Sequence, residues 1–206
     1  MAVPRFIADT HLGHRNIWKY RKVFESTLHN DLYFTRVLQE VSTKRDSMYF
    51  LGDIAFDEYY LGLIKELPGR KILILGNHCS EYIPVKKLVD AFDEVHGLLK
   101  YKEFWLSHAP LHDGELRGKL NVHGHVHAAS VPDTKYLNVS VDSSFMKYFP
   151  RTLTEVREGF ATQNSTGEYF KGIEDDAALE TITADPKSRE IYYWALAESR
   201  KTKIIL

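Results

Sequence analysis

Three apolar runs punctuate the first part of the chain, and each stops at a polar turn. Arg5 to Ala8 ends at Asp9, Ser47 to Leu51 ends at Gly52-Asp53, and Lys71 to Leu75 ends at Gly76-Asn77-His78. Short continuous apolar runs bounded by Gly, Asp or Asn predict strands buried on both faces. Between them the spacing becomes helical. Asp31 to Val41 sets Leu32, Phe34, Thr35, Leu38 and Val41 near one face, and Asp57 to Leu67 does the same with Tyr60, Leu61, Ile64 and Leu67. Alternation of strand and helix predicts a layered α/β domain.

Further on, Val95 to Leu99, Lys102 to Ser107, Leu120 to Val122 and Tyr136 to Val141 predict short strands joined by tight turns. Crossover helices followed by hairpins fit two sheets packed together and flanked by helices. After Arg157 the character shifts, so a main domain over 1–157 and an extension over 158–206 are expected. Glu158 to Asp175 is rich in Gly, Ser, Thr, Asn and charge, and Ala177 to Asp185 suits a short helix. Ser188 to Lys203 lacks Gly and Pro and suits a helix, although Tyr192-Tyr193-Trp194 fits a strand nearly as well. The terminal Ile204-Ile205-Leu206 predicts that the extension docks on the core.

Composition narrows the class. The 206 residues are 44% apolar and 13% aromatic, which is globular. Lys plus Arg is 27 against 28 Asp plus Glu, a net charge of −1, so no global basic field exists to hold an extended nucleic acid. Cys79 is the single cysteine, which excludes an internal disulfide and suits a reducing compartment. The start Met-Ala-Val-Pro-Arg-Phe-Ile has no signal-peptide core, and no apolar run approaches the roughly 20 residues of a membrane span. The expectation is a soluble cytoplasmic protein with no membrane partner.

The chemistry gathers where the strands stop. Asp9-Thr10-His11, Gly52-Asp53, Gly76-Asn77-His78, His108 and Gly124-His125-Val126-His127 supply carboxylate, imidazole and amide groups in order, several of them after strands. Side chains two apart in an extended turn face one side, which pairs Asp9 with His11 and His125 with His127. Asp53 has two oxygens and can bridge two metals roughly 3.5–4 Å apart. Nitrogen and oxygen donors without a thiolate fit Mn²⁺ best here, with Fe, Ni²⁺ or Zn²⁺ also suited, and disfavour a structural zinc knuckle. His78 is placed to protonate a leaving group or stabilise charge on it.

Together these motifs resemble the calcineurin-like metallophosphoesterase superfamily, over about Phe6 to His127. Asp9-Thr10-His11 continuing to Gly13-His14 resembles small bacterial and phage phosphoesterases in particular. Asn138 to Asp142 and Tyr148-Phe149-Pro150 resemble that subgroup's closing strand and turn. The resemblance implies a four-layer α/β/β/α sandwich of two mixed sheets flanked by helices. It implies that Asp9, His11, Asp53 and His127 hold one metal, that Asp53, Asn77, His108 and His125 hold the other, and that His78 is catalytic. The family commonly carries an acid after Gly-Asn-His, where this chain has Cys79; that departure touches the orientation of His78, and packing is the simplest role for the Cys.

Around this centre His14, Arg15 and His112 are candidate substrate contacts. His123 is expected to pack or to support a ligand, and His29 and His96 to be surface or packing residues. Arg117 and Lys119 are expected in a solvated loop, and Lys19-Tyr20-Arg21-Lys22 on a solvated helix face. The function expected is a dinuclear-metal hydrolase of a small phosphomonoester, phosphodiester or nucleotide, with a metal-activated water as nucleophile. A metal-dependent nuclease would share the metals, and a non-catalytic interaction module would share only the fold. With no long insertion between the motifs, the site is expected to be open and shallow.

Overall fold

A computed structural model describes residues 2–202, so Ile204-Ile205-Leu206 and the last residue of the Ser188 to Lys203 segment lie outside the described residues. The three apolar runs become strands β1 (Pro4–Ile7), β2 (Ser47–Phe50) and β3 (Arg70–Ile74), paired in parallel in that order. Phe6, Ile7, Phe50 and Ile74 have no exposed surface, as two-sided burial requires. β4 (Glu94–His96) continues the sheet parallel to β3, and β9 (Arg151–Thr152) closes it antiparallel to β1. The order is β4-β3-β2-β1-β9.

A second sheet has the order β5-β6-β7-β8, with β5 (Leu99–Tyr101), β6 (Phe104–Ser107), β7 (Leu120–His123) and β8 (Tyr136–Asn138). Two expectations are corrected here. Val95 to Leu99 is not one strand: the chain changes sheets around Gly97, and β4 and β5 belong to different layers. The second sheet is also not a run of hairpins. Only β5 and β6 pair antiparallel, whereas β6, β7 and β8 are parallel, linked by loops and the single turn of α6 (Asp113–Leu116). Tyr49 and Phe6 of the first sheet meet Tyr101 of the second at ring-centroid distances of 4.8 and 6.0 Å, which marks the apolar interface between the sheets. Beyond β1 and β8 the sheets join, where Ala8 N–H donates to Val139 O (2.9 Å) and Val141 N–H donates to Ala8 O (3.1 Å).

The helices cover the outer faces. α2 (Thr27–Val41) starts at Ser26, whose hydroxyl accepts from His29 N–H (3.1 Å), and α3 (Glu58–Lys65) starts at Asp57, which caps Tyr60 N–H (3.0 Å). α2 buries more than the one face expected. Tyr33, Phe34, Val37, Leu38 and Val41 face the core, and His29, Asn30 and Asp31 are buried as well. For His29 the cover is α9 (Pro186–Thr202), which lies against α2 with Ile191, Tyr192 and Ala195 buried, whereas Asn30 meets Arg21 Nη1 (3.3 Å) and Asp31 accepts from Gly13 N–H (3.1 Å). His29 Nε2 meets Tyr192 O at 3.2 Å, and Tyr192 O–H donates to Val23 O at 2.6 Å. The aromatic triplet is therefore helical, not a strand.

On the far side α7 (Leu153–Thr166) covers the second sheet, stacking Phe160 on Phe104 (5.5 Å). It begins with a full capping box between Thr152 and Glu155. The compositional shift at Arg157 falls inside this helix, so the stretch after it is helical to Thr166. The result is the α/β/β/α sandwich of two mixed sheets. No helix among the described residues is long and apolar enough to cross a membrane.

Candidate metal centre

All five motifs meet at the end of the sandwich where β1, β2, β3, β6 and β7 stop. One oxygen or nitrogen each from Asp9, His11 and His127 lie within 4.8 Å of one another, and so do one each from Asp9, Asp53 and His108. Asn77 Oδ1 is 2.9 Å and His125 Nδ1 is 3.2 Å from His108 Nε2. The structure thus brings together all seven candidate ligands.

Alternation along extended chain is not what aims them. Asp9, His11, Asp53, His125 and His127 all have positive φ, between 50° and 72°. Such backbone is costly for a residue with a Cβ, and it concentrates where surrounding structure imposes it for function. The motif glycines answer the same crowding. A Cβ on Gly52 (φ +87°) would stand 2.2 Å from His108 Nδ1, and one on Gly76 would stand 2.2 Å from Asp53 Oδ1.

The ligands are fixed from behind. Asp9 Oδ2 accepts from Ser140 O–H (2.7 Å) and from His125 N–H (2.9 Å), while its Oδ1 is buried without a hydrogen bond, as are both ring nitrogens of His11. Asp9 Oδ1 and His11 Nε2 face each other at 3.8 Å. Asp53 Oδ1 accepts from His78 N–H (3.0 Å). His108 Nδ1 donates to Leu51 O (2.8 Å), which a carbonyl can only accept; in the neutral ring Nε2 then carries a lone pair. That lone pair faces Asp53 Oδ2 (3.2 Å) and Asn77 Oδ1. His127 Nδ1 donates to Asp142 Oδ2 (2.9 Å), which leaves its Nε2 free in the same way. Acceptors thus converge on acceptors. Buried polar atoms are normally satisfied, and a divalent cation satisfies this set.

Burial alone would raise the Asp9 carboxyl, but the His11 ring facing it and the charges of His127 and His108 bring it down to about 2. Burial would lower the His108 and His127 imidazoles; the carboxylates beside them outweigh it and raise both, so the buried carboxylates favour a positive charge here, which a bound cation would supply in place of ring protons. Burial takes His11 down to about 4, a neutral ring able to donate a lone pair.

Sequence reasoning missed the support of His127. Arg21 was expected on a solvated face, but α1 (Ile17–Tyr20) ends after one turn and Arg21 turns inward to 4% exposure, while Lys19, Tyr20 and Lys22 stay exposed. Its guanidinium holds Asp142 through Nε (2.7 Å) and Nη2 (2.9 Å), and donates to the carbonyls of Thr10 (3.0 Å) and Asp9. Asn138, Ser140 and Asp142 alternate with buried Val139 and Val141. Asn138 Nδ2 ties His127 O (2.7 Å), Ser140 ties Asp9, and Asp142 ties His127. That alternation was the available signal.

The structure also places the remaining candidates. His78 Nδ1 is 2.6 Å from Glu81 Oε2, so an acid three residues on takes the place of one at Cys79. Cys79 packs beneath the turn with Sγ accepting from Gly76 N–H (3.2 Å) and Asp53 N–H (3.3 Å), and burial pushes its thiol up. His14 borders a cavity beside His11 and His127. Arg15 is exposed and does not line that cavity, nor does His112, which caps α6 by accepting from Gly114 N–H (3.2 Å). His123 is buried with Nδ1 2.9 Å from Gly124 O, His29 is buried under α9, and His96 pairs with Glu94 (2.7 Å).

Comparison with known proteins fits this geometry. The gene 66 protein of Mycobacterium phage L5 is 29% identical over 162 residues, covering 61% of this chain and 78% of the phage protein. The crystal structure of AQ665 from Aquifex aeolicus, a protein of unknown function, superposes with a TM-score of 0.60 at 27% identity, over 77% of this chain and 99% of that one. The family model for calcineurin-like phosphoesterases matches residues 5–176, from β1 past α7, and with it every residue of the centre described above. The chain belongs to the calcineurin-like phosphoesterase family, whose members bind divalent metals and act on phosphate esters.

Proposed function

We propose that the chain is a dinuclear-metal phosphoesterase. Asp9, His11, Asp53 and His127 hold one cation, and Asp53, Asn77, His108 and His125 hold the other. The observation that carries this reading is a set of buried polar atoms that lack ordinary partners and converge: Asp9 Oδ1 and the His11 ring nitrogens without a bond, and His108 Nε2 against Asn77 Oδ1 and Asp53 Oδ2. Mn²⁺ suits the donor set best, and Fe, Ni²⁺ or Zn²⁺ suit it too. When bound, such a pair supplies charge for phosphate oxygens and a water of lowered pKa as nucleophile.

The chain's own groups do the rest. Ser140 and the His125 amide hold Asp9 still, Arg21 and Asp142 hold His127, and Leu51 O fixes the His108 tautomer. His78, steadied by Glu81, protonates the departing alkoxide, which would otherwise leave as a poor group. His14 contacts the substrate. The substrate is a small phosphate ester or nucleotide, since the net charge of −1 offers no field for a long nucleic acid. The buried free thiol suits a reducing, cytoplasmic setting. The test is hydrolysis of bis-p-nitrophenyl phosphate by purified protein with added Mn²⁺. Metal-dependent release of nitrophenol, lost in Asp53→Asn, supports the reading; no release from any generic ester, or equal rates in both proteins, refutes it.

A further inference from the structure

We infer that the cavity beside His11 and His127 receives the alcohol part of the ester, and that this part is a flat, uncharged aromatic group. The inference rests on the phosphoesterase reading above. The cavity has a volume of about 440 Å³, within the roughly 300–1,000 Å³ of small-molecule sites. α1 forms one wall with Ile17, and Ile173 and Tyr148 form others, because the segment after α7 folds back against the centre: Ile173 N–H donates to Asp142 O at 2.9 Å.

Charge around the cavity is already spent. Arg21 gives its donors to Asp142, to the Thr10 and Asp9 carbonyls and to Asn30 Oδ1. Asp175, at the rim, pairs with Lys22 at 2.6 Å. Among the described residues, no lining side chain is left as a free cation to hold a second anionic group. What remains is apolar surface and rings. Tyr20, 76% exposed, stands at the mouth with its ring edge-on to His14 (6.4 Å). His14 in turn meets Phe56 edge-on (4.9 Å), and Phe56 stacks on His11 (4.9 Å) and contacts Tyr82 (4.8 Å). A row of rings thus leads from the cavity mouth past the metal ligands, and rings pair best with other rings. His14 Nδ1 is buried and without a partner, so one ligand heteroatom has a place to bond.

The test compares alcohols of similar leaving ability, so that chemistry does not mask binding. Benzyl and butyl phosphate, and benzyl methyl and butyl methyl phosphate, are assayed with Mn²⁺, alongside carboxymethyl phosphate as an anionic ester. We expect kcat/KM for the benzyl member of the reactive pair to exceed the butyl member by about tenfold or more, the scale of an apolar pocket's discrimination, with the anionic ester poorest. Ile173→Trp, which fills the cavity from a partly buried loop position, should bring the benzyl-to-butyl ratio toward one. Titration with benzylphosphonate, which is not hydrolysed, should show a matching loss of affinity in Ile173→Trp and in the exposed variant Tyr20→Ala. Equal kcat/KM for benzyl and butyl esters in the wild type, or a ratio and affinity unmoved in both variants, overturns the inference and leaves the phosphoesterase reading intact. Failure to hydrolyse these esters and bis-p-nitrophenyl phosphate alike would overturn both.

Discussion

At the scale of single residues, the centre separates groups that bind from groups that hold the binders. Asp142 is the clearest case of the second kind: it accepts a hydrogen bond from His127 Nδ1–H and is itself gripped by Arg21. Removing such an outer carboxylate typically weakens metal binding about 10- to 100-fold. Asp142→Asn is therefore expected to weaken one of two Mn²⁺ binding events in calorimetry by that factor and to leave the other, centred on His108, nearly unchanged. In the proposed mechanism Glu81 positions His78 through their 2.6 Å contact. Glu81→Gln should lower kcat about tenfold or more with no change in metal affinity, since its carboxylate touches no ligand. A fall in metal affinity instead would assign Glu81 to the metal shell. The ligands themselves were legible as residue types, because carboxylates and imidazoles after apolar runs have few other reasons to recur. Arg21 was not legible: its burial depends on α1 ending after one turn, and nothing in Lys-Tyr-Arg-Lys marks which of the four turns inward. Glu81 was hidden for a similar reason, since its pairing needs the one-turn helix α4 (Cys79–Tyr82) that follows His78.

At the scale of elements, the apolar runs before Asp9, Gly52 and Gly76 were readable as parallel strands because burial on both faces leaves no polar alternation to blur them. The second sheet was not readable as mostly parallel. Its strands are four residues or fewer, and the links between β6, β7 and β8 carry almost no helix, so nothing local distinguishes a parallel return from a hairpin. α2 shows how one element's surroundings rewrite its pattern: α9 covers His29, while Asp31, at 2% exposure, is buried on another side where it accepts from Gly13 N–H (3.1 Å). Burial raises that carboxyl to about 6 from an ordinary 3.8, against hydrogen bonds from Asn30, Tyr60 and Gly13 that favour its charge. A folded-state pKa above the unfolded one means stability fully present below about pH 4, lost as pH rises through about 6 and flat beyond it. The size is a few kcal/mol at most, at roughly 1.4 kcal/mol per unit. The difference in unfolding free energy between wild type and Asp31→Asn, measured from pH 4 to 7, should slope over this window; a flat difference would mean that Asp31 stays charged in the fold. The α9 contact has its own test. Tyr192→Ala removes a buried ring and its bond to Val23 O, and should cost about 3–5 kcal/mol of stability in denaturant unfolding.

At the scale of the whole molecule, two sheets joined at Ala8 and Val139 to Val141 bring loops from both to one end, so one cluster draws Asp9, Asp53 and Asn77 from the first sheet and His108, His125 and His127 from the second. Motif order alone pointed to the cluster, while its geometry depends on left-handed backbone at five ligands, which no period in the sequence reveals. The cavity walled by the segment after α7 was equally hidden, because Ile173 lies far in sequence from the motifs it borders. In the proposed centre two cations share Asp53, and the stoichiometry of Mn²⁺ bound to purified protein, by titration and elemental analysis, tests this most directly. Two equivalents per chain are expected, falling in Asp53→Asn with the fold retained by circular dichroism. No bound Mn²⁺, Fe, Ni²⁺ or Zn²⁺, or a stoichiometry unchanged in Asp53→Asn, would contradict it.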